Sequence, residues 1–312
     1  MANPTSASVV RAAREASMAI PAFNIPYLPM MEPVVNALRD TKTFGFIAVA
    51  RLEWEKFAAG GVAPVREEYE RVKDERYTRL HLDHTPVIDE DHLRVGYMAI
   101  IGAAISLGYD SVMVDGSRLP FEENVAATRE VADAAHAAGI PAEAELGAVL
   151  GHEAGPLPDY EELFASGRGF TDVAEAARFV RSTGVDWLSV SVGNIHGAIS
   201  GAAKSERKPA ARLSIERLQS LANATGVPLV LHGGSGIRKE SLLEGMRSGI
   251  AKINVGTTLR QAYEAARPVS VAVAQQAVYR AAVSVIVDEL ELAGSAETIL
   301  QLSEHRSARG DL

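Results

Sequence analysis

Eight histidines and no cysteine leave His, Asp and Glu to hold any metal in this chain, and exclude disulfides, thiolate sites and a Cys nucleophile. Three of the histidines, His84, His196 and His232, stand where apolar runs give way to turns. Three neutral imidazoles around an open coordination position make a catalytic zinc site, which polarises a carbonyl as a Lewis acid. A lone histidine is more often structural; three converging on one place are a stronger signal. His81 shares the strand parity of Asp83 and is expected to line the interior. His92, His136 and His305 fall in helical segments and read as surface or packing residues, and His152 lies in a loop. Asp83 directly precedes His84, so it either orients an imidazole or serves as a general acid or base. Asp115 and Glu145 are further acids at run ends, candidates for a second metal site or for orienting the imidazoles.

Short apolar runs bounded by turn residues give eight strands, at 18–24, 44–50, 78–83, 110–115, 141–146, 186–192, 228–232 and 250–255. Helical patterns lie between them, most clearly at 91–107, 121–138, 172–183, 213–224 and 239–248, several closing on a glycine. Helix, Gly, one residue, strand recurs in LGYDSVMVD, AGIPAEAEL, TGVDWLSVSV, TGVPLVLH and SGIAKINV. Strands apolar nearly throughout are covered on both faces, so the expected fold class is α/β, a (β/α)8 TIM barrel with extra C-terminal helices, one domain over 1–312. A doubly wound open sheet is the rival. The barrel requires functional side chains at the C-terminal ends of strands, and the run ends carry Asn24, Arg51, Asp83 with His84, Asp115, Glu145, the His196 loop, His232 and Asn254. The stretch 147–169, rich in Gly and Pro, reads as an active-site loop.

Two glycine-rich turns, HGGSG at 232–236 and NVGTT at 254–258, precede helices and can bind phosphate through backbone N–H groups. They follow strands seven and eight, where barrels often hold a phosphate. The net charge of −9 argues against nucleic acid or an anionic membrane surface as partner, since either needs clustered Lys and Arg. The best apolar run, 97–109, is shorter than the roughly 20 residues of a membrane span, and the N-terminal residues lack a signal-like apolar core; a cytoplasmic location is expected.

The segments HLDH (81–84), SVMVDGSRLPFEENVAATREV (111–131), AEAELG (142–147), VGNIHG (192–197), LVLHGGSGI (229–237) and AKINVGT (251–257) closely resemble the class II fructose-bisphosphate and tagatose-bisphosphate aldolases. The resemblance implies His84, His196 and His232 as ligands of Zn2+. It implies that Asp83 exchanges the proton of the hydroxyl on the acceptor carbon, and that Glu153 moves the proton on the dihydroxyacetone phosphate carbon. Asn254 would steady the enediolate, and Gly197, Gly233, Ser235, Asn254 and Thr257 would line the phosphate site; Asn24 and Arg51, from their strand-end positions alone, are further candidates for substrate binding. A monovalent cation, Na+ or K+, would lie near Ile195, Gly197 and Gly233, and the assembly would be a homodimer or homotetramer. Fructose 1,6-bisphosphate is the leading substrate on this resemblance. Tagatose bisphosphate, a ketose monophosphate or a carboxylate-bearing substrate is the alternative, and a metal-dependent barrel hydrolase or isomerase, or a silent binding protein, the more distant reading.

The chain departs from that family's pattern at three places, and in the loop the family's paired glycine and acidic run becomes Leu150-Gly151-His152-Glu153-Ala154. Arg51 stands where a serine is expected, so it either pairs with Glu53 or Glu55 or reads an anionic group of the substrate. Beyond Thr258 the segment ARPVSVAVAQQAVYRAAV does not match the family's distal-phosphate arginine segment, leaving Arg267 or Arg280 as substitutes or the distal phosphate absent.

Overall fold

The computed structural model describes residues 4–147, 160–194 and 211–309. Eight parallel strands close into a barrel in chain order: β1 (Ile20–Asn24), β2 (Gly45–Val49), β3 (Thr78–Pro86), β4 (Ser111–Asp115), β5 (Ala142–Leu146), β6 (Trp187–Val190), β7 (Leu229–Leu231) and β8 (Ile250–Val255). β1 pairs with both β2 and β8, which completes the ring. Each strand falls on an expected one, because parallel strands buried on both faces write continuous apolar runs.

The helices are α1 (Ser6–Glu15), α2 (Met31–Asp40), α3 (Arg51–Glu55), α4 (Val62–Val72), α5 (Tyr97–Ser106), α6 (Phe121–Ala137), α7 (Tyr160–Ser166), α8 (Val173–Thr183), α9 (Ile215–Thr225), α10 (Lys239–Arg247), α11 (Thr257–Ala266), α12 (Val271–Ser284) and α13 (Ser295–Arg309). The recurring glycine has the expected cause. Gly184 and Gly226 take left-handed conformations, with φ of 70° and 71°, and cap α8 and α9. α5 starts at Tyr97 rather than 91, because 87–95 folds into a loop of its own. Ile88 bridges Arg94, and the Asp89 carboxylate accepts the N–H groups of Asp91 and Leu93. α7 occupies part of the expected loop 147–169; residues 148–159 lie outside the described residues.

Two apolar cores divide the molecule. The larger lies between the barrel and its helices, where Phe23, Ile47, Leu80, Val112, Leu188 and Leu229 meet the helical ring. The smaller fills the barrel interior with Ile20, Phe46, Ala48, Trp187 and Val230, and α1 plugs its N-terminal end through Val9, Val10, Ala12 and Ala13. That plug confines access to the C-terminal mouth. The helical stretch Val271–Glu289 is long and apolar enough by length and composition to cross a membrane. Its helical part α12 packs against α2 and α11 in the outer ring.

Above the inner core sits a charged layer with no solvent contact. Lys252 on β8 donates to Glu143 on β5 and to Asn254 Oδ1, both at 2.8 Å, and Lys252 and Glu143 are fully buried. Removing one member of such a pair strands the other charge, so Lys252→Met should destabilise the fold by about 3–5 kcal/mol. Denaturant unfolding followed by circular dichroism checks this, and a loss below about 1 kcal/mol would show that the charge is compensated elsewhere.

Candidate active site

The site begins with a break in β3. Leu82 pairs with Val112 and Thr85 with Val114, so Asp83 and His84 together stand opposite Met113. This bulge re-aims two consecutive side chains that regular pleating would send to opposite faces. A chain turn at the strand end is not what brings them together, since β3 continues to Pro86.

The His84 and His232 rings meet with His84 Nε2 and His232 Nδ1 2.6 Å apart. Their outer nitrogens are held by carboxylates, His84 Nδ1 by Asp115 Oδ2 at 3.2 Å and His232 Nε2 by Glu143 Oε1 at 2.8 Å. An imidazole that donates its outer N–H to a carboxylate presents a lone pair on its inner nitrogen. Two lone pairs then face one point, which a cation stabilises. Glu145 Oε2 lies 3.3 Å from His232 Nδ1 and 3.9 Å from His84 Nε2, adding an oxygen donor at the same place. Ligand atoms of Asp83, His84 and His232 lie within 4.8 Å of one another, as do those of His84, Asp115 and Glu145, so the residues fit a metal ion.

Electrostatics point the same way. Burial works against the His84 imidazolium, yet the hydrogen bond to Asp115 and the fields of Asp83 and Glu145 outweigh it and push the group up to about 10. His232 is likewise raised, with burial opposed by its bonds to Glu143 and Glu145. Asp83, Asp115, Glu143 and Glu145 crowd around these rings, and Lys252 is the lysine among them. The carboxylates therefore demand positive charge at the point where the rings converge. Burial disfavours the ionised form of Asp83, but His84, His232 and Lys252 overcome this and hold its carboxyl below the usual range. Asp115 is lowered too, against burial, by its bond to His84.

Asp83 is fixed from both sides. Asn24 Nδ2 donates to Oδ2 at 2.8 Å and Asn254 Nδ2 to Oδ1 at 2.9 Å. His81 lies below, its Nδ1 2.8 Å from the Ser111 hydroxyl. Burial and the Lys252 charge push His81 down to about 3, so it is a neutral ring lining the interior, as its parity suggested. Burial raises Glu143, but Lys252 and the His232 bond bring it down to about 2.

The glycine-rich turns also reach the mouth. Gly233, Gly234 and buried Ser235 follow β7, with Gly234 N–H donating to Asn254 O at 3.1 Å. Thr257 opens α11 behind an N-cap, Gly256, that supplies no side-chain cap, so first-turn N–H groups remain available to an anion. His152, Glu153, Ile195, His196 and Gly197 lie outside the described residues.

Arg51 opens α3 directly after β2 and pairs with Asp89 at 3.3 Å and Glu55 at 3.7 Å. Of the two partners expected from sequence, Glu55 is engaged and Glu53 is not; Asp89 arrives through the loop before α5. Arg51→Ser should therefore loosen that loop at a cost of about 1–2 kcal/mol. The ratio of kcat/KM between substrates with charged and neutral aldehyde halves should stay within about twofold, because the guanidinium is already engaged by Asp89 and Glu55. A tenfold change in that ratio, measured with metal content matched to the parent, would instead place Arg51 against the substrate.

A model of the family "Fructose-bisphosphate aldolase class-II" matches residues 5–300. The chain belongs to the class II fructose-bisphosphate aldolase family. It is 32% identical over 253 residues to the "Probable fructose-bisphosphate aldolase" of Bacillus subtilis (strain 168), covering 80% of this chain and 79% of that protein. It is 31% identical over 248 residues to a fructose-bisphosphate aldolase of Staphylococcus aureus (strain Mu50 / ATCC 700699), covering 78% of each. The crystal structure of the YdjI aldolase from Escherichia coli K12 superposes with a TM-score of 0.73 at 27% identity, over 95% of this chain and 100% of that one. The class II aldolase assignment makes the chain a carbon–carbon lyase and explains why its polar residues gather at one end of the barrel. Asp89, Glu143 and Lys252 were missed from sequence, and Glu53 was anticipated only as a partner for Arg51. For Glu143 and Lys252 a signal existed: each is a charged residue two positions before a strand-end polar residue, hence on the same inward face.

Proposed function

We propose that this aldolase uses Zn2+ to cleave, reversibly, a ketose phosphate into dihydroxyacetone phosphate and an aldehyde, with fructose 1,6-bisphosphate the leading substrate. Tagatose bisphosphate, a ketose monophosphate or a carboxylate-bearing ketose phosphate is the alternative. The observation that carries the reading is the convergence of His84 Nε2 and His232 Nδ1 beside an Asp83 carboxylate held by two amides. His84, His232 and His196 would hold the ion, whose chemistry is Lewis acidity toward the ketose carbonyl. Nitrogen and oxygen donors without sulfur suit zinc.

Asp83 stays ionised and accepts the proton of the hydroxyl on the aldehyde-half carbon while the carbon–carbon bond breaks. The bonding electrons pass to the ketone half, which takes a proton from Glu153 and leaves as dihydroxyacetone phosphate. Asn254 and Asn24 hold Asp83 at the angle this transfer needs and exclude water from its two oxygens. Backbone N–H groups around Gly197, Gly233, Ser235 and Thr257, with Asn254, receive the phosphate. Asp115 and Glu145 orient the imidazoles or share a second ion. A monovalent cation near Ile195, Gly197 and Gly233 completes the reading, with residues 1–312 acting as one catalytic unit.

The test is a panel of ketose mono- and bisphosphates, with dihydroxyacetone phosphate release followed by a coupled dehydrogenase. Release from at least one member, abolished by chelation, is expected. No release from any member by zinc-replete protein would overturn the assignment.

A further inference from the structure

We propose that a cleft at the N-terminal end of the barrel, where the plugging helix α1 begins, binds the phosphate group of a small molecule. It lies at the end opposite the candidate active site and is a second, separate anion site.

The cleft has a volume of about 360 Å³, enough for a phosphate with a small organic group attached. The chain entering β3, β4 and β5 lines it through Thr78, Asp110 and Pro141, α4 contributes Arg66 and Lys73, and Ser6 stands at the start of α1.

Three observations give its inner end a demand for an anion. First, α1 is ten residues long with no acidic residue in its first turn. Thr5 caps only Ser8, whose N–H its Oγ1 accepts at 3.2 Å, so the N–H groups of Ser6 and Ala7 have no acceptor among the described residues. Free first-turn donors and the helix dipole favour a negative group there. Second, Ser6 is 2% exposed and its Oγ has no hydrogen-bond partner. A buried hydroxyl normally has one, and a phosphate oxygen would supply it. Third, Arg79 is 6% exposed, and its guanidinium donates to the carbonyl oxygens of Glu75, Thr78 and Pro4, at 2.5, 2.7 and 2.9 Å, and to no carboxylate among the described residues. The bond to Pro4 sets that charge against the chain that opens α1.

The neighbouring charges leave this surplus in place. Arg66 and Lys73 share Glu70, and Lys73 also meets Glu75, so the outer cations are paired. Asp110 borders the cleft, but its Oδ2 accepts the Leu80 N–H at 2.7 Å. Burial raises its carboxyl against the pull of that bond and of Arg79, Arg66 and Lys73. A guanidinium beside helix N–H groups and a hydroxyl is a phosphate donor set. Three kinds of donor call for the several oxygens of a phosphate, where a carboxylate offers two.

The experiment is amide hydrogen exchange of the full zinc-replete chain, resolved by peptide, with inorganic phosphate or glycerol 3-phosphate against sodium chloride at equal ionic strength. Saturable slowing is expected across Ser6–Glu15 and across 73–80, separate from any slowing at the turns 232–236 and 254–258. Either probe producing it supports the site. Response at a lower concentration of the ester identifies an organic phosphate as the occupant, and the reverse order identifies the free ion. Ser6→Asp sets a carboxylate on the same donors, and Arg79→Gln removes the guanidinium. Each should weaken the response by about tenfold or more, the loss that goes with one charge-assisted hydrogen bond. If Arg79→Gln does not fold, Ser6→Asp carries the test, since an acid is favoured at a helix start. Slowing confined to the turns 232–236 and 254–258, an equal response to chloride, or an undiminished response in Ser6→Asp would overturn the proposal.

Discussion

Asp83→Asn should lower carbon–carbon cleavage by about 10²–10⁴-fold, the range expected when a positioned acid–base group is removed, while proton exchange on dihydroxyacetone phosphate remains measurable. The substitution is nearly isosteric, so the barrel should fold and bind metal. An amide at 83 offers one acceptor oxygen where Asn24 and Asn254 both donate, at 2.8 and 2.9 Å. One donor must then face another donor, and the residue can no longer accept the substrate's proton. The two rates separate because the proposed second proton transfer belongs to Glu153. Equal loss of cleavage and exchange, with metal content normal, would show that the two transfers are not divided in this way.

His232→Ala has the second large expected effect. The ring is fully buried, with one nitrogen on Glu143 and the other facing His84 Nε2, so its loss removes a proposed ligand and leaves Glu143 with Lys252 and, more distantly, His81. Mutating a partner that merely orients a ligand costs about 10–100-fold in metal affinity. Glu143→Gln should fall in that range and His232→Ala beyond it, as read by competition with a chromogenic chelator. Cleavage at limiting zinc should follow the same order. Parent-like zinc affinity in His232→Ala would remove this residue from the metal site.

The barrel was legible in the sequence for a physical reason. A parallel strand covered on both faces is apolar nearly throughout, and the glycine that closes several helices is favoured by a left-handed cap, as at Gly184 and Gly226. The site's ends were legible because the fold reserves strand C-termini for polar side chains: Asn24, Asp83, His84, Asp115, Glu145, His232 and Asn254 meet at one mouth. The contacts that depend on tertiary approach were hidden. Asp89 reaches Arg51 only because 87–95 folds back as a loop, where its charges suggested the start of a helix. Glu53 was a candidate partner for Arg51, two residues away, and the helix turns it inward onto the Ala50 N–H instead. The pairing of Asp83 with His84 follows from a register shift in β3, and no residue type in HLDH announces a bulge.

The central claim is that this chain's imidazoles hold a metal on which ketose phosphate cleavage depends. Protein freed of metal by prolonged dialysis against a chelator, then by removal of the chelator, should release no dihydroxyacetone phosphate from a substrate that the parent cleaves. Addition of about one equivalent of Zn2+ per chain should restore release, as expected for a single catalytic ion. Undiminished cleavage by the metal-free protein, or trapping of a lysine adduct with borohydride during turnover, would contradict the account.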